Sequence, residues 1–215
     1  MKTMAAFSIL APVVMALATG CENTVVGNTG GNGGAGGSGG AGGDGGATVT
    51  TSSTLPSECA VETSEQGPYA VTFRFTTTGD VPVYLREDCV VNYTVTSCGD
   101  GYQEGLALTG QCTVDCSEDN QCIDCGACLL QALAVSAGAA VEHPWAGKTY
   151  TFEENNVGCT CHEEHVAPAG KYRITVPVFA SEADAVDNNS PAGQVSVDFV
   201  LPAPGGVVEV PVALP

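Results

Sequence analysis

From residue 69 to residue 212, apolar and polar side chains alternate with a period of two in one segment after another. That period is the mark of a half-buried strand. Val71, Phe73 and Phe75 fall on one face, with Thr72, Arg74 and Thr76 on the other. Thr78-Gly79-Asp80 reads as a turn into Val81-Pro82-Val83-Tyr84-Leu85. There Pro82 points to a sheet edge, because proline cannot donate to a ladder. Val91, Tyr93 and Val95 predict a third strand and Leu106 to Leu108 a short fourth. Leu129 to Val135 predicts another, although Leu-Leu-Gln-Ala-Leu-Ala fits a helical turn equally well. Ser136-Ala137-Gly138 turns the chain into a run with Ala139, Val141, His143 and Trp145 on one side, and Lys148 to Glu153 follows. The clearest strand runs from Gly170 to Ala180, with Tyr172, Ile174, Val176 and Val178 inward. Val195, Val197, Phe199 and Leu201 lead through Pro202-Ala203-Pro204-Gly205-Gly206 into Val207 to Val212, a predicted hairpin. No stretch carries a helical period of useful length. Many short strands joined by Gly/Pro turns, without alternating helices, indicate an all-β, antiparallel two-sheet sandwich over residues 55–215.

The chain before residue 55 follows a different pattern. Met1-Lys2-Thr3 is a short basic start, and an apolar run from Met4 to Ala18 is broken only by Ser8 and Pro12. Small residues come next, completing the three parts of a secretory signal. The run is shorter than the about 20 residues that a membrane span needs. Ala16-Leu17-Ala18 offers an A-x-A cleavage site that leaves Thr19 as the new N-terminus. Leu17-Ala18-Thr19-Gly20-Cys21 instead resembles the lipobox of bacterial lipoproteins, whose cysteine is lipidated and becomes the first residue. The resemblance implies a signal peptide over residues 1–20, a palmitate-bearing anchor at Cys21 and the membrane as a partner through that lipid. In such lipoproteins an aspartate after the cysteine often marks inner-membrane retention, and Glu22 is not that residue. The expected address is therefore the outer membrane of a Gram-negative envelope, facing either the periplasm or the outside.

Residues 21–54 are expected to be a flexible linker. From Gly27 to Gly46 the chain is almost all glycine, in Gly-Gly-x steps with Asn, Ala, Ser and Asp as spacers, and Ala47 to Thr54 continues as a polar lead-in. Glycine loses the most backbone entropy on ordering, so such a run is expected to stay unfolded. The strict triplet and prolines of collagen are missing. A coil of this length has a mean reach of about 25 Å. A tether of this kind suits a lipid-anchored body better than a soluble one.

Charge narrows the partners. Lys2 is the only basic residue lost with the signal, so five of the six Lys+Arg remain against twenty-four Asp+Glu. A surface this acidic repels phosphates, which excludes nucleic acid as a partner. Anionic headgroups repel the folded body for the same reason. The simplest consequence of the charge is solubility.

Three segments carry a second resemblance. TFRFTTTGDVPVYL is similar to the opening hairpin of Ig-like sandwich modules, in which a TNTGD-x-PV turn is common. SAGAAVEHPWAG is similar to their tryptophan-bearing strand after a PG turn, and APAGKYRITV to a PAGTYTV strand. Together they resemble the BsuPI-type proteinase-inhibitor domain of bacteria. That implies an Ig-like β-sandwich and a proteinase inhibitor-like module. The pattern has no counterpart for the cysteines.

Eleven cysteines are present, and setting Cys21 aside leaves ten in the body: Cys59, Cys89, Cys98, Cys112, Cys116, Cys122, Cys125, Cys128, Cys159 and Cys161. In an exported protein an even set reads as a disulfide framework. Ten thiols allow on the order of a thousand pairings, so connectivity stays open. Cys159 and Cys161 flank one residue and point to the same face of an extended backbone. A bond between them would be strained. They are expected to reach two separate partners in the loop from Cys112 to Cys128. That loop belongs to an irregular Cys-rich insertion over residues 98–128. It holds three acids between Asp115 and Asp119 and almost no apolar residues before Leu129, so cross-links rather than burial are expected to define it.

Sharper chemical motifs compete with that framework. Cys122-Ile-Asp-Cys125-Gly-Ala-Cys128 resembles the iron–sulfur run of ferredoxins, but no cysteine stands four residues after Cys128. Cys122-x-x-Cys125 matches a redox motif outside its βαβ context. Cys161-His162 lacks the spacing of haem attachment. Cys159, Cys161, His162 and His165 supply soft metal ligands within a seven-residue span, provided the thiolates escape oxidation. The simpler alternative makes His162 and His165 exposed neighbours of Glu163 and Glu164. The Asp115–Asp119 and Asp184–Asn189 loops offer carboxylates for calcium without EF-hand spacing. No GxSxG, HExxH or P-loop occurs, and His143 beside Trp145 reads as a core or boundary histidine. No catalytic residue and no cofactor are implied. The expected function is that of a lipid-anchored, non-enzymatic binding or structural module of the cell envelope, with an unknown protein or envelope ligand. The alternatives are a metal-binding or redox protein using Cys159 to His165, and the inhibitor-like module.

Overall fold

The computed structural model describes residues 55–118, 122–187 and 190–215. The signal, Cys21 and the linker lie outside these residues. Twelve strands occur among the described residues: β1 (Val71–Thr76), β2 (Val83–Asp88), β3 (Val90–Val91), β4 (Thr94–Ser97), β5 (Val114–Asp115), β6 (Leu130–Val135), β7 (Val141–Trp145), β8 (Lys148–Glu154), β9 (Thr160–Val166), β10 (Gly170–Val178), β11 (Gly193–Leu201) and β12 (Val207–Pro211). A single short α-helix among the described residues, α1 (Glu182–Val186), follows β10. None of it is long and apolar enough to cross a membrane as a helix.

The alternation in β1 builds one layer of the sandwich. Val71, Phe73 and Phe75 are buried, and β1 lies between β7, antiparallel, and β12, parallel. The facing layer is organised on β10. Along one side β10 pairs with the whole of β11, from Gly170↔Leu201 to Val178↔Gly193. Its other side is shared by Ala60 at Gly170, β4 at Tyr172 to Thr175, and Tyr84 of β2 at Phe179. Through that last bridge the layer continues into the order β3-β2-β6. Rings from the two layers meet in the middle. Phe73 lies edge-on to Phe199 at 5.5 Å between ring centres, and Trp145 edge-on to Tyr172 at 6.2 Å. Such contacts add about 0.5–1.5 kcal/mol each to the gain from burial. The polar tips are satisfied: Trp145 Nε1 donates to the Lys148 carbonyl at 2.7 Å and the Tyr172 hydroxyl to the Pro168 carbonyl at 2.7 Å.

Several expectations change. Thr78-Gly79-Asp80 does not close a hairpin, because β1 and β2 belong to different layers. β11 and β12 likewise do not pair: the Pro202–Gly206 turn carries the chain from one layer to the other. Pro82 precedes β2, which is central in its sheet with β3 on one side and β6 on the other, so the proline marks the start of the strand and no edge. Leu106 to Leu108 form no strand. Leu106 N–H donates to the Val95 carbonyl and both leucines pack half-buried against the core. The third predicted strand divides into β3 and β4. Helix α1 is an addition, capped by Ser181, whose side chain accepts from Asp184 N–H. Arg86 fixes it to β2 by donating to the Ala185 carbonyl at 2.6 Å while lying over the Phe179 ring.

Candidate functional site

A third, smaller sheet stands apart from the two layers, in the order β5-β9-β8. Together with the described residues of 110–118 and 122–128 it makes a cap that contributes, among the described residues, only Val114 and Cys161 to the buried apolar set. Burial therefore does little to hold it. The cysteines replace it. All ten body cysteines pair: Cys59–Cys98, Cys89–Cys128, Cys112–Cys125, Cys116–Cys161 and Cys122–Cys159, with Cα separations from 4.9 to 5.7 Å. Those separations lie within the range of disulfides. Four of the five bridges have an end between residues 112 and 128; only Cys59–Cys98 lies elsewhere.

Local chemistry sets the position of each bridge. At the tip of the β8–β9 hairpin, Asn155 Oδ1 accepts from the Val157 and Cys159 N–H groups, at 3.1 and 2.9 Å, and presents Cys159 to Cys122. β5 runs parallel to β9 with Val114 opposite Cys161, and Cys116 N–H donates to the His162 carbonyl at 2.9 Å. This places Cys116 on Cys161. Cys159 and Cys161 thus reach two separate partners in the 112–128 loop, as their spacing predicts.

The four soft-ligand candidates do not converge. Both sulfurs are held in disulfides, and thiolate is the form a metal binds. His162 and His165 differ by an odd number of strand positions and so face opposite sides of β9. His162 Nδ1 is 2.8 Å from Thr113 Oγ1, its ring packs over Gly110 and lies edge-on to Tyr150, and a methyl at Gly110 would strike it. His165 Nε2 is 2.9 Å from Thr151 Oγ1. Of the calcium candidates, Asp184 is in α1, and Asn189 and Asp119 lie outside the described residues. Hydrogen bonds from the Ser117 side chain, then from its N–H, hold the Asp115 carboxyl below its usual range. His143 is a boundary residue of β7, edge-on to Tyr93, and desolvation lowers its pKa.

Three clefts open on the cap and where it meets β2 and β6, and no single run of residues signals them directly. One of about 350 Å³ is lined by Glu87, Cys89, Cys128, Leu129 and Gln131. A second of about 630 Å³ has Asp88, Cys89, Val90, Gln111, Cys112 and Gly126 among its walls. A third of about 550 Å³ has Gln111, Cys112, Cys122, Ile123, Asp124 and Cys125 among its walls. Cys89 and Gln111 adopt the left-handed backbone region, with φ of 60° and 50°. For residues other than glycine this costs of order 1–3 kcal/mol, and such strain gathers at functional sites. The signal available in the sequence was the apolar pair Ile123 and Leu129, stranded in a segment with no core to enter.

Electrostatics adds a uniform sign. Four of the five Lys and Arg side chains in the described residues are engaged within the molecule. Arg74 pairs with Glu142 and Glu209, Lys148 with Glu164, and Arg173 with Asp198, while Arg86 holds α1. None of the five lines a cleft of the cap. The acids at those clefts therefore have no lysine or arginine beside them on the walls.

No protein-family model, curated protein or solved structure matches this chain.

Proposed function

We propose that this chain is a non-enzymatic binding module of the cell envelope, anchored by lipid at Cys21 and spaced from the outer membrane by its Gly-rich linker, whose recognition surface is the cap. One observation carries the reading. Four of five disulfides hold a part of the molecule that, among the described residues, buries only two apolar side chains. The layered core holds together by burial, so a covalent framework placed outside it preserves the shape of a surface. A fixed surface binds with less ordering entropy to lose. The pairing of Cys159 and Cys161 and the divergence of His162 and His165 favour this over metal or redox chemistry at that cluster.

The test places a photo-crosslinking side chain at Ile123, on the cap, or at Ser196, exposed on β11, in the full chain in native envelopes. A discrete adduct from position 123 and none from 196 supports the reading. No adduct from either, or the same adducts from both, defeats it.

A further inference from the structure

The three clefts of the cap are one feature. The first and second share Cys89, and the second and third share Gln111 and Cys112. They lie side by side as one grooved face, with Leu129 at the first, Val90 at the second and Ile123 at the third. Its walls include three disulfides, Cys89–Cys128, Cys112–Cys125 and Cys122–Cys159. Of the three non-glycine residues at positive φ, Cys89 and Gln111 each line two neighbouring clefts, and Tyr102 lies away from them. Three apolar side chains are left open along it, Leu129 at 80%, Ile123 at 51% and Val90 at 39% exposure. Glu87, Asp88 and Asp124 stand among them, with no lysine or arginine on the walls.

We infer that this groove binds an extended polypeptide segment carrying both basic and apolar side chains. The inference rests on the binding reading above and names the partner's chemistry. Shallow clefts in series suit side chains offered at intervals by an extended chain, which projects them every second residue to one side. A compact small molecule would need a single enclosing cavity instead. The charge fixes the partner's sign: with no lysine or arginine on the walls, carboxylates along the groove are complementary to the lysine and arginine of a partner. Anionic headgroups and nucleic acid are repelled by the same carboxylates. Open leucine, isoleucine and valine side chains supply the apolar part, whose removal from water on binding is favourable.

The experiment uses the chain with its disulfides intact and short labelled peptides, read by fluorescence anisotropy. One peptide alternates Lys and Leu, a second Lys and Ser, and a third Glu and Leu. The Lys–Leu peptide is expected to bind saturably, at least about tenfold more tightly than the Lys–Ser peptide. The Glu–Leu peptide is expected not to bind. Two surface variants locate the site without touching the core: Asp88→Asn with Asp124→Asn, and Ile123→Ser with Leu129→Ser. Each is expected to weaken the Lys–Leu peptide by about tenfold, with unchanged circular dichroism. Equal binding of the Lys–Leu and Lys–Ser peptides, no binding at all, or no effect of either variant overturns the inference. Failure here with a discrete crosslink from position 123 leaves the binding reading standing and rejects only the basic–apolar partner.

Discussion

Cys116 and Cys161 are joined with their Cα atoms 4.9 Å apart, and the Cys161 residue is 1% exposed, under the β5–β9 pair. The groove bridge Cys112–Cys125 has the opposite setting, with both residues exposed. Thiol–disulfide exchange requires an attacking thiolate to reach a sulfur, so access orders the reactions. Graded reduction followed by alkylation and mass spectrometry should label Cys112 and Cys125 first. Cys59 at 2% exposure and Cys161 should be labelled last. Simultaneous labelling of all ten would show that the cap and core open as one unit and that access does not set the order.

The lipid anchor is tested separately from the fold. If Cys21 is the modified N-terminus, the wild-type chain should incorporate a radiolabelled fatty acid and sediment with membranes. Cys21→Ser should abolish labelling and release a body with the same thermal midpoint, because residues 55–215 supply their own core. A wild-type chain that begins at Thr19 without lipid would decide for cleavage after Ala18.

Which parts were legible in the sequence follows from what holds each part. Val71, Phe73 and Phe75, and Tyr172 through Val178, alternate because one face is buried, and the structure buries those residues. Partner choice was not legible. The parallel pairing of β1 with β12 joins residues about as far apart as the body allows, and alternation in a strand says nothing about its neighbour. β9 was missed as a strand because Thr-Cys-His-Glu-Glu-His-Val buries only Cys161; its place is set by two disulfides and by β8. The same two cysteines were legible in another way, since their spacing alone sends them to separate partners. Helix α1 escaped because five residues give no period, although Ser181 and Asp184 stand at capping distance. The groove escaped because it is made of segments that only the bridges bring together.

His143 should make stability depend on pH in a defined direction. Desolvation lowers its pKa, while Glu87 acts in the opposite sense and is the smaller influence; Tyr93 faces the ring without charge. A depressed histidine pKa means that the unfolded chain takes up the proton first, so stability rises with pH across that window. The contribution is fully present above the unfolded value of about 6.5 and diminishes as pH falls below it. The thermal midpoint should therefore drop between pH 7.5 and 5.5 in the wild type and drop less in His143→Phe. Carboxylates held low by partners, such as Asp198 beside Arg173, lose their contribution only in more acidic solution, as pH falls through their folded pKa values. An identical slope in the variant would assign the pH dependence to other groups.

Gly147 joins the layered core to the hairpin that carries the cap. It turns β7 into β8 at φ 69°, and its carbonyl accepts from Ala167 N–H at 3.0 Å, closing the base of the β8–β9 hairpin. A methyl group at this position would run into the Tyr69 backbone, which cannot swing aside as a long side chain can. Gly147→Ala therefore meets two costs, the left-handed backbone and the clash. It should destabilise the body by about 1–3 kcal/mol or more, whereas Gly138→Ala, also at positive φ but with open space around it, meets only the first. Denaturant unfolding of both variants separates the two terms. Equal losses would mean that Tyr69 yields and that the hairpin is not fixed at this corner, leaving the disulfides alone to hold the cap.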